Sequence, residues 1–122
     1  MPDFADTAEF LDATITRPHP GTAVLEVQGE IDTLTAPAFT AATTELVAGP
    51  DETLVIDLSG VRFLASSGLA VLITAANRAE ERGARLRLVV CTRAVRRPLE
   101  ITGTDQLFDL HPNLSSAISC SD

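Results

Sequence analysis

The stretch TLVIDLSGVRFLASSGLAVLITAANRAEERG, residues 53–83, decides the fold because it holds a buried strand and a long helix in direct succession. Its beginning, TLVIDLS at residues 53–59, is β-branched and almost continuously apolar, which is typical of a central strand buried on both faces. VRFLA at residues 61–65 is expected to be a short connection. From residue 66 onward, apolar residues three and four positions apart predict an amphipathic helix that stops at Gly83. The predicted apolar stripe consists of Leu69, Leu72, Ile73 and Ala76.

The rest of the chain repeats this alternation. A hairpin comes first, since the prolines and glycine of RPHPG at residues 17–21 mark a turn between two short strands. We therefore predict an α/β fold: one domain over residues 1–122, with its core at about residues 10–118 and a mixed, mainly parallel sheet of about four or five strands covered by about four helices. The predicted strands are residues 10–16, 22–29, 53–59 and 84–91 with an edge strand within 105–112, and the predicted helices are residues 38–48, 66–83, 92–103 and 113–119.

Residue types at the helix ends predict how three of these helices begin or break. Thr35 is expected to cap the first helix, with Pro37 in the first turn, where a missing N–H has no consequence. Ser66 or Ser67 is expected to cap the second helix. Pro98 is expected to interrupt the third, because proline removes a helical hydrogen bond.

Composition excludes several classes of function. The formal net charge is −8, which argues against nucleic-acid binding and against anionic membrane surfaces, since both require positive charge. No apolar run reaches the ~18 residues that span a bilayer. The acidic start of the chain, residues 1–12, lacks the features of a signal peptide, so we expect a cytoplasmic protein. Cys91, expected to be buried, and Cys120 lie far apart, so neither a metal nor another cofactor is predicted.

The adjacent serines Ser66 and Ser67 stand at the start of the long helix, where a hydroxyl can serve regulation as well as capping. A helix N-terminus presents unpaired N–H groups and a partial positive charge, and it therefore tolerates an anion. A phosphate group, with a charge of about −1.5 to −2, can be added there without unfolding the domain. A partner that docks on the neutral hydroxyl would then meet a dianion. Simple capping is the alternative interpretation.

A catalytic serine would need a general base, and the histidines of the chain are His19 and His111. No motif ties either histidine to Ser66 or Ser67, and ASSGL is not the GxSxG turn of serine hydrolases. No GxxxxGK phosphate-binding loop occurs either. We therefore predict no catalytic residues and no enzyme activity, and keep a small hydrolase that uses one of the two serines as an alternative hypothesis.

Three segments carry a resemblance to a known family. GEIDTLTAP at residues 29–37 is similar to that family's G-E-[LI]-D segment, and VIDLSGVRFLASSGLAVL at residues 55–72 is similar to its phosphorylation segment, D-[LF]-S-x-V-x-[FY]-[LM]-D-S-[ST]-G-L. GARLRLVVCTRAVRRPLEITG at residues 83–103 is similar to the strand and helix that follow. On these motifs the chain resembles the STAS-domain anti-sigma factor antagonists of bacteria, which implies a mixed sheet with helices on its faces.

The resemblance also implies a partner-switching cycle. The unphosphorylated antagonist binds an anti-sigma factor that is also a serine kinase, and this frees a sigma factor. The kinase then phosphorylates the antagonist, the complex dissociates, and a metal-dependent phosphatase of the PP2C type resets it. The motif maps the phosphorylated residue to Ser66, with Ser67 as second choice. The implied partner-binding residues are Asp32, Thr33, Arg62, Phe63, Ala65, Ser66, Ser67, Gly68 and Leu69.

Ala65 is a departure from the family pattern, which has an aspartate before the phosphorylated serine. If that carboxylate orients the hydroxyl in the kinase, phosphorylation is slow here, whereas the loss of a surface charge would matter little. The departure keeps open a second function, a non-switching STAS module in a scaffold or in a transport or lipid-trafficking complex. Asp32 is either a loop-turning residue or a partner contact, and Asp57 is interpreted as structural. The arginines at positions 93, 96 and 97 form either a solvated face or a contact for an acidic patch on a partner.

Overall fold

The structure, a computed structural model, describes residues 11–119, so residue 10 of the first predicted strand and Cys120 lie outside the described residues. The strands are β1 Leu11–His19, β2 Thr22–Ile31, β3 Thr53–Leu64, β4 Arg85–Val89 and β5 Asp109–His111, and the helices are α1 Ala36–Ala48, α2 Ser66–Glu81, α3 Arg93–Thr102 and α4 Leu114–Ser119, with a 3₁₀ turn at Thr104–Leu107. The strands form one sheet in the order β1-β2-β3-β4-β5, in which only the β1–β2 pair is antiparallel. The predicted mixed sheet and order of elements are confirmed.

The two faces of the sheet are covered to different extents, because successive strand residues point to opposite faces. Leu25 and Ile56 belong to the main core, which α1, α2 and α3 close on one face. Val24 and Val55 point to the other face and pack on Ala117 of α4 in a smaller cluster. Within residues 11–119, no helix combines the length and the apolar character that crossing a membrane requires.

Strand β3 is longer than the sequence predicts. It ends at Leu64 and not at residue 59, and the segment 61–65 that was expected as a connection is mostly strand. The reason is pairing, since β2 runs alongside to Ile31, which lies opposite Leu64. The register shifts twice, and each time β3 has one residue more than β2. Such bulges bend a strand while its pairing continues, and they leave no signal in hydrophobic periodicity.

The predicted helix starts and breaks are confirmed only in part. Thr35 is the N-cap residue of α1 and Pro37 lies in its first turn, as predicted, although the Thr35 hydroxyl donates to the Glu30 carbonyl oxygen at 2.7 Å and does not cap the helix. The expected interruption at Pro98 is wrong, because α3 continues through it to Thr102.

Two predictions about burial are also wrong. Ile73 and Ala76, assigned to the apolar stripe of α2, are only half-buried. The stripe is rotated around the helix because α2 must pack on α1 as well as on the sheet. Cys91 is exposed, since β4 ends at Val89 and the chain turns away from the core before the thiol. The buried residues of α2 are Gly68, Leu69, Leu72, Ala75 and Ala79.

Candidate functional site

The carboxyl ends of β2 and β3 bring the two predicted site segments together. Ile31 and Leu64 are paired at the last position of both strands. The Ala65 N–H then donates to the Ile31 carbonyl oxygen at 2.8 Å, which extends the ladder by one residue. Asp32 follows directly after Ile31 and Ser66 directly after Ala65. The turn that starts at Asp32 and the beginning of α2 therefore lie side by side at one edge of the sheet.

Asp32 builds the turn between β2 and α1. Its Oδ1 accepts the N–H of Leu34 at 3.0 Å and that of Thr35 at 3.1 Å, which is the pattern of an Asx turn. The Asp32 N–H in return donates to the Thr35 hydroxyl at 2.9 Å. These bonds give Asp32 a structural role, and they hold the turn in which Leu34 is 65% exposed.

The prediction that Ser66 or Ser67 caps α2 is wrong, because the N-cap residue is Ala65. Ala65 has the extended backbone that an N-cap requires, with φ −88° and ψ 170°, since it continues the direction of β3. Its carbonyl oxygen accepts the N–H of Gly68 at 2.9 Å and of Leu69 at 3.1 Å. Its methyl group accepts nothing, so this helix begins without a side-chain cap.

The two serines therefore occupy the first and second positions of the helix, and their surroundings differ. Ser66 is exposed. Ser67 is half-buried, and its Oγ is shielded from solvent without a hydrogen-bond partner among the described residues. Ser66 is therefore open to an enzyme approaching from solvent, whereas the hydroxyl of Ser67 is shielded.

Gly68 allows α2 to begin close to the sheet. A Cβ at this position would lie 2.5 Å from Cγ2 of Ile31 and 2.7 Å from Cδ1 of Leu64. Neither distance is compatible with a side chain unless the helix moves outward. Gly68 and Leu69, which were predicted to contact a partner, are both buried, so they lie beneath the site and position it.

Two large apolar side chains are exposed at the edge of the sheet that carries Ser66. Phe63 is 50% exposed, and Leu34 approaches the same edge from the neighbouring turn. Arg62 is exposed and its guanidinium lies 3.9 Å from the Glu30 carboxylate, while Thr33 is exposed beside Leu34. Leu34 is the residue that sequence reasoning missed. The available signal was a single leucine within the polar turn DTLTAP.

Asp57, a polar residue in a buried strand, has the structural role that the sequence indicated. Its Oδ1 accepts the Ser59 N–H at 3.0 Å and the Ser59 hydroxyl at 2.7 Å. These bonds lie at the first register shift of β3, where the extra residue interrupts the regular ladder. The carboxylate thus satisfies backbone and side-chain donors of the bulge.

Neither histidine lies beside Ser66. His19 is at the β1–β2 hairpin, the opposite end of β2 from the site. His111 is in β5, where Nδ1 lies 2.9 Å from the Ser116 hydroxyl and Nε2 lies 3.2 Å from the Asp109 carboxylate. This Asp-His-Ser arrangement resembles a catalytic triad, but the Ser116 N–H that would stabilise an oxyanion donates to Asn113 Oδ1 at 2.8 Å. We interpret the arrangement as the attachment of α4 to the sheet.

No group of three or more histidine, cysteine, aspartate or glutamate side chains within residues 11–119 is placed to hold a metal ion. The chemistry that the edge of the sheet offers is therefore an accessible hydroxyl beside apolar side chains and a helix N-terminus. This combination suits modification and protein contact.

Comparisons with known proteins agree with this geometry. The family model of the STAS domain matches residues 13–117. The chain is 42% identical over 103 residues to the anti-sigma-F factor antagonist RsfB of Mycobacterium tuberculosis, covering 83% of this chain and 82% of RsfB. It is 33% identical over 113 residues to RsfA, an anti-sigma-F factor antagonist of the same organism, covering 91% of this chain and 88% of RsfA.

Two solved structures of anti-sigma factor antagonists are similar in fold to this chain. The fold is similar to that of an anti-sigma factor antagonist from Mycobacterium paratuberculosis, with a TM-score of 0.84, 37% identity and coverage of 91% of this chain and 93% of that chain. It is also similar to the Bacillus cell fate determinant SpoIIAA in its phosphorylated form, with a TM-score of 0.67 and 18% identity over 88% of this chain and 96% of that chain, which shows a shared fold.

Proposed function

The chain belongs to the STAS domain family, and we propose that it is an anti-sigma factor antagonist that works by partner switching. Its unphosphorylated form binds an anti-sigma factor that is also a serine kinase, and a sigma factor is released. Phosphorylation of Ser66 ends the binding, and a phosphatase of the PP2C type restores it. The role is regulatory, without catalysis by the chain itself, and a cytoplasmic location is part of the proposal. The names of RsfB and RsfA support the kind of partner.

The exposed Ser66 hydroxyl at the first position of a sixteen-residue helix is the observation that carries the proposal. A dianion placed there meets the positive end of the helix, so the modified chain stays folded. The buried hydroxyl of Ser67 supports the choice of Ser66. What changes on phosphorylation is therefore the surface that a partner meets.

We define the switch surface as Asp32, Leu34, Arg62, Phe63 and Ser66. Its exposed leucine and phenylalanine provide apolar area of the kind that anchors protein interfaces, near the hydroxyl that is modified. A phosphate between these anchors would have to lose its hydration when the partner docks, and burying an unpaired charge is strongly unfavourable. The proposed release thus follows from desolvation and requires no movement of the backbone.

The proposal is tested with the purified chain, ATP and Mg²⁺, and the anti-sigma factor kinases of the source organism, each assayed separately. Intact mass and peptide mapping are expected to show one phosphate on Ser66. Ser66→Ala should block the modification and hold the kinase, whereas the matched variant Ser67→Ala should be modified normally. Ser66→Glu should stay folded and lose the partner. If Ser66→Ala and Ser66→Glu both bind every kinase as the unmodified chain does, the switch is refuted.

Ala65 favours the second candidate function, a STAS module that binds its partner without switching, because the family's aspartate is absent beside the serine. This function predicts no gain in mass with any kinase and a partner whose affinity is the same for Ser66→Ala and Ser66→Glu. A hydrolase function is a third hypothesis, and an active-serine phosphonate probe that failed to label the chain would exclude it.

A further inference from the structure

We propose that the outer side of α3 is a second contact surface, which binds carboxylate side chains of the anti-sigma partner; this inference rests on the proposed function. The surface, called the arginine face, consists of Arg93, Arg96 and Arg97. All three residues are exposed, and together with Glu100 they line a shallow cleft of about 380 Å³.

The arginine face is held rigidly because the opposite side of α3 is part of the core. Val95 and Leu99 are fully buried there. At about 100° per residue, the three arginines and Glu100 lie on the side of the helix away from these two anchors. Arg96 also donates to the Val90 carbonyl oxygen at 3.3 Å, which ties the start of the face to the end of β4. A partner would therefore meet three arginines whose backbone positions on the helix are fixed.

The charge of the arginine face is not neutralised within the part of the chain that the structure describes. The chain has nine arginines, no lysine and 17 acidic residues, yet none of the ion pairs among residues 11–119 includes a member of the face. Some arginines elsewhere do form ion pairs: Arg17 lies 3.1 Å from the Asp51 carboxylate, and Arg62 lies 3.9 Å from that of Glu30. Arg93 repels Arg96 and Arg97, which follow it by three and four residues on the helix, and the single carboxylate of Glu100 offsets only part of the charge of the three arginines. Carboxylates from outside would remove that repulsion.

The arginine face lies at the same edge of the sheet as the switch surface. β3 and β4 are parallel, so α2 and α3, which follow them, both start at the edge formed by the carboxyl ends of the strands. α3 packs against β3, the strand that carries Phe63 and leads to Ser66. One partner can therefore cover the hydroxyl of Ser66 and reach the arginines of α3 from the same side.

Carboxylates of a protein fit the arginine face better than an extended polyanion. A guanidinium group matches a carboxylate through two parallel hydrogen bonds. A chain with a net charge of −8 is repelled as a whole by a nucleic acid or an anionic membrane, whereas a short acidic segment on a docked protein meets only the local positive field. The surface thus predicts where acidic residues of the partner lie in the complex.

Binding kinetics with the anti-sigma partner test the inference. The test variant replaces all three arginines of the face by glutamine, Arg93→Gln/Arg96→Gln/Arg97→Gln, which changes the net charge from −8 to −11. A control variant reaches the same net charge at exposed positions of β1 and β2, by Thr14→Glu/Thr16→Glu/Gln28→Glu. The glutamine variant is expected to associate about tenfold more slowly at low salt and to lose most of its salt dependence. The control should stay within about twofold of the natural chain, and phosphorylation should release every variant alike. A glutamine variant that binds as the natural chain does overturns the inference and leaves the proposed function intact.

A second experiment needs no partner and therefore separates the two proposals. The Nε–Hε signals of the arginines in the full chain are recorded by NMR during titration with a glutamate decapeptide. Signals of Arg93, Arg96 and Arg97 are expected to shift, and that of exposed Arg78 on α2 is not. Inorganic phosphate and phosphatidylglycerol vesicles are titrated in parallel. If either of them shifts the signals at lower concentration than the peptide, or if nothing shifts them, the inference is wrong even when the partner binds.

Discussion

Replacing Ala65 by aspartate is expected to stabilise the protein, although the residue touches no core. Ala65 has the backbone geometry of an N-cap, but its methyl side chain cannot accept a hydrogen bond, so the first N–H groups of α2 have no side-chain acceptor. Aspartate in place of alanine at an N-cap typically contributes about 1 kcal/mol, within a range of about 0.5–2. We therefore expect a gain of about 1 kcal/mol, which for a chain of this size raises Tm by about 4 °C.

The measurement is urea and thermal unfolding of the full chain, with the slope of the urea dependence as a check that the denatured state is unchanged. Ala65→Asn makes the same bond without a charge, so it shows whether repulsion from nearby Asp32 reduces the gain. Ala70→Asp is the matched control, because it adds the same charge at an exposed position inside α2 where no N–H is open. If Ala65→Asp and Ala65→Asn both leave the free energy of unfolding unchanged, the first N–H groups of α2 already have hydrogen-bond partners and the reasoning fails.

Three further predictions follow from contacts of the site and of the sheet. Gly68→Ala should destabilise the protein by about 1–3 kcal/mol in urea unfolding, since its Cβ would lie 2.5 Å from a β2 side chain; a gain in stability, as is usual for Gly→Ala in a helix, would contradict this. Arg87→Met removes the 2.9 Å bond to the Ala117 carbonyl and should cost about 1–3 kcal/mol, with faster hydrogen exchange confined first to α4. Leu34→Ala and Phe63→Ala should each weaken partner binding about tenfold by calorimetry while stability changes by less than about 0.5 kcal/mol.

The alternation of strands and helices could be predicted from the sequence because hydrophobic periodicity is a local property. TLVIDLS and the long helix after residue 66 carry such strong patterns that the type of each element was predicted correctly. The end of β3 was not predictable in the same way. Its last residues are held by pairing with β2 across two register shifts, and the energy of that pairing depends on a neighbour 33 residues away, as between Ile31 and Leu64.

The site shows the same division between local and non-local information. The motif around ASSGL indicated the edge that carries Ser66, but it could not distinguish an exposed hydroxyl from a buried one. That difference arises because α2 begins at least one residue earlier than capping by either serine would require, directly after an extended Ala65 bonded to Ile31. The reason for Gly68 likewise becomes visible only when the side chains beneath it are in place.

The rigidity of this edge determines what a phosphate can do there. The Ala65–Ile31 bond and the close fit at Gly68 fix the start of α2, so the added charge can alter little except the interactions of the surface. If the partner carries carboxylates for the arginine face, the phosphate also faces a surface of its own sign. Two like charges 4 Å apart repel by about 1 kcal/mol in water and by about 4 kcal/mol near a protein surface. The attraction that guides the partner onto α3 and the repulsion that expels it from Ser66 would then come from the same acidic residues. A partner with acidic residues opposite α3 would thus both bind the unmodified chain faster and be released more easily from the phosphorylated one.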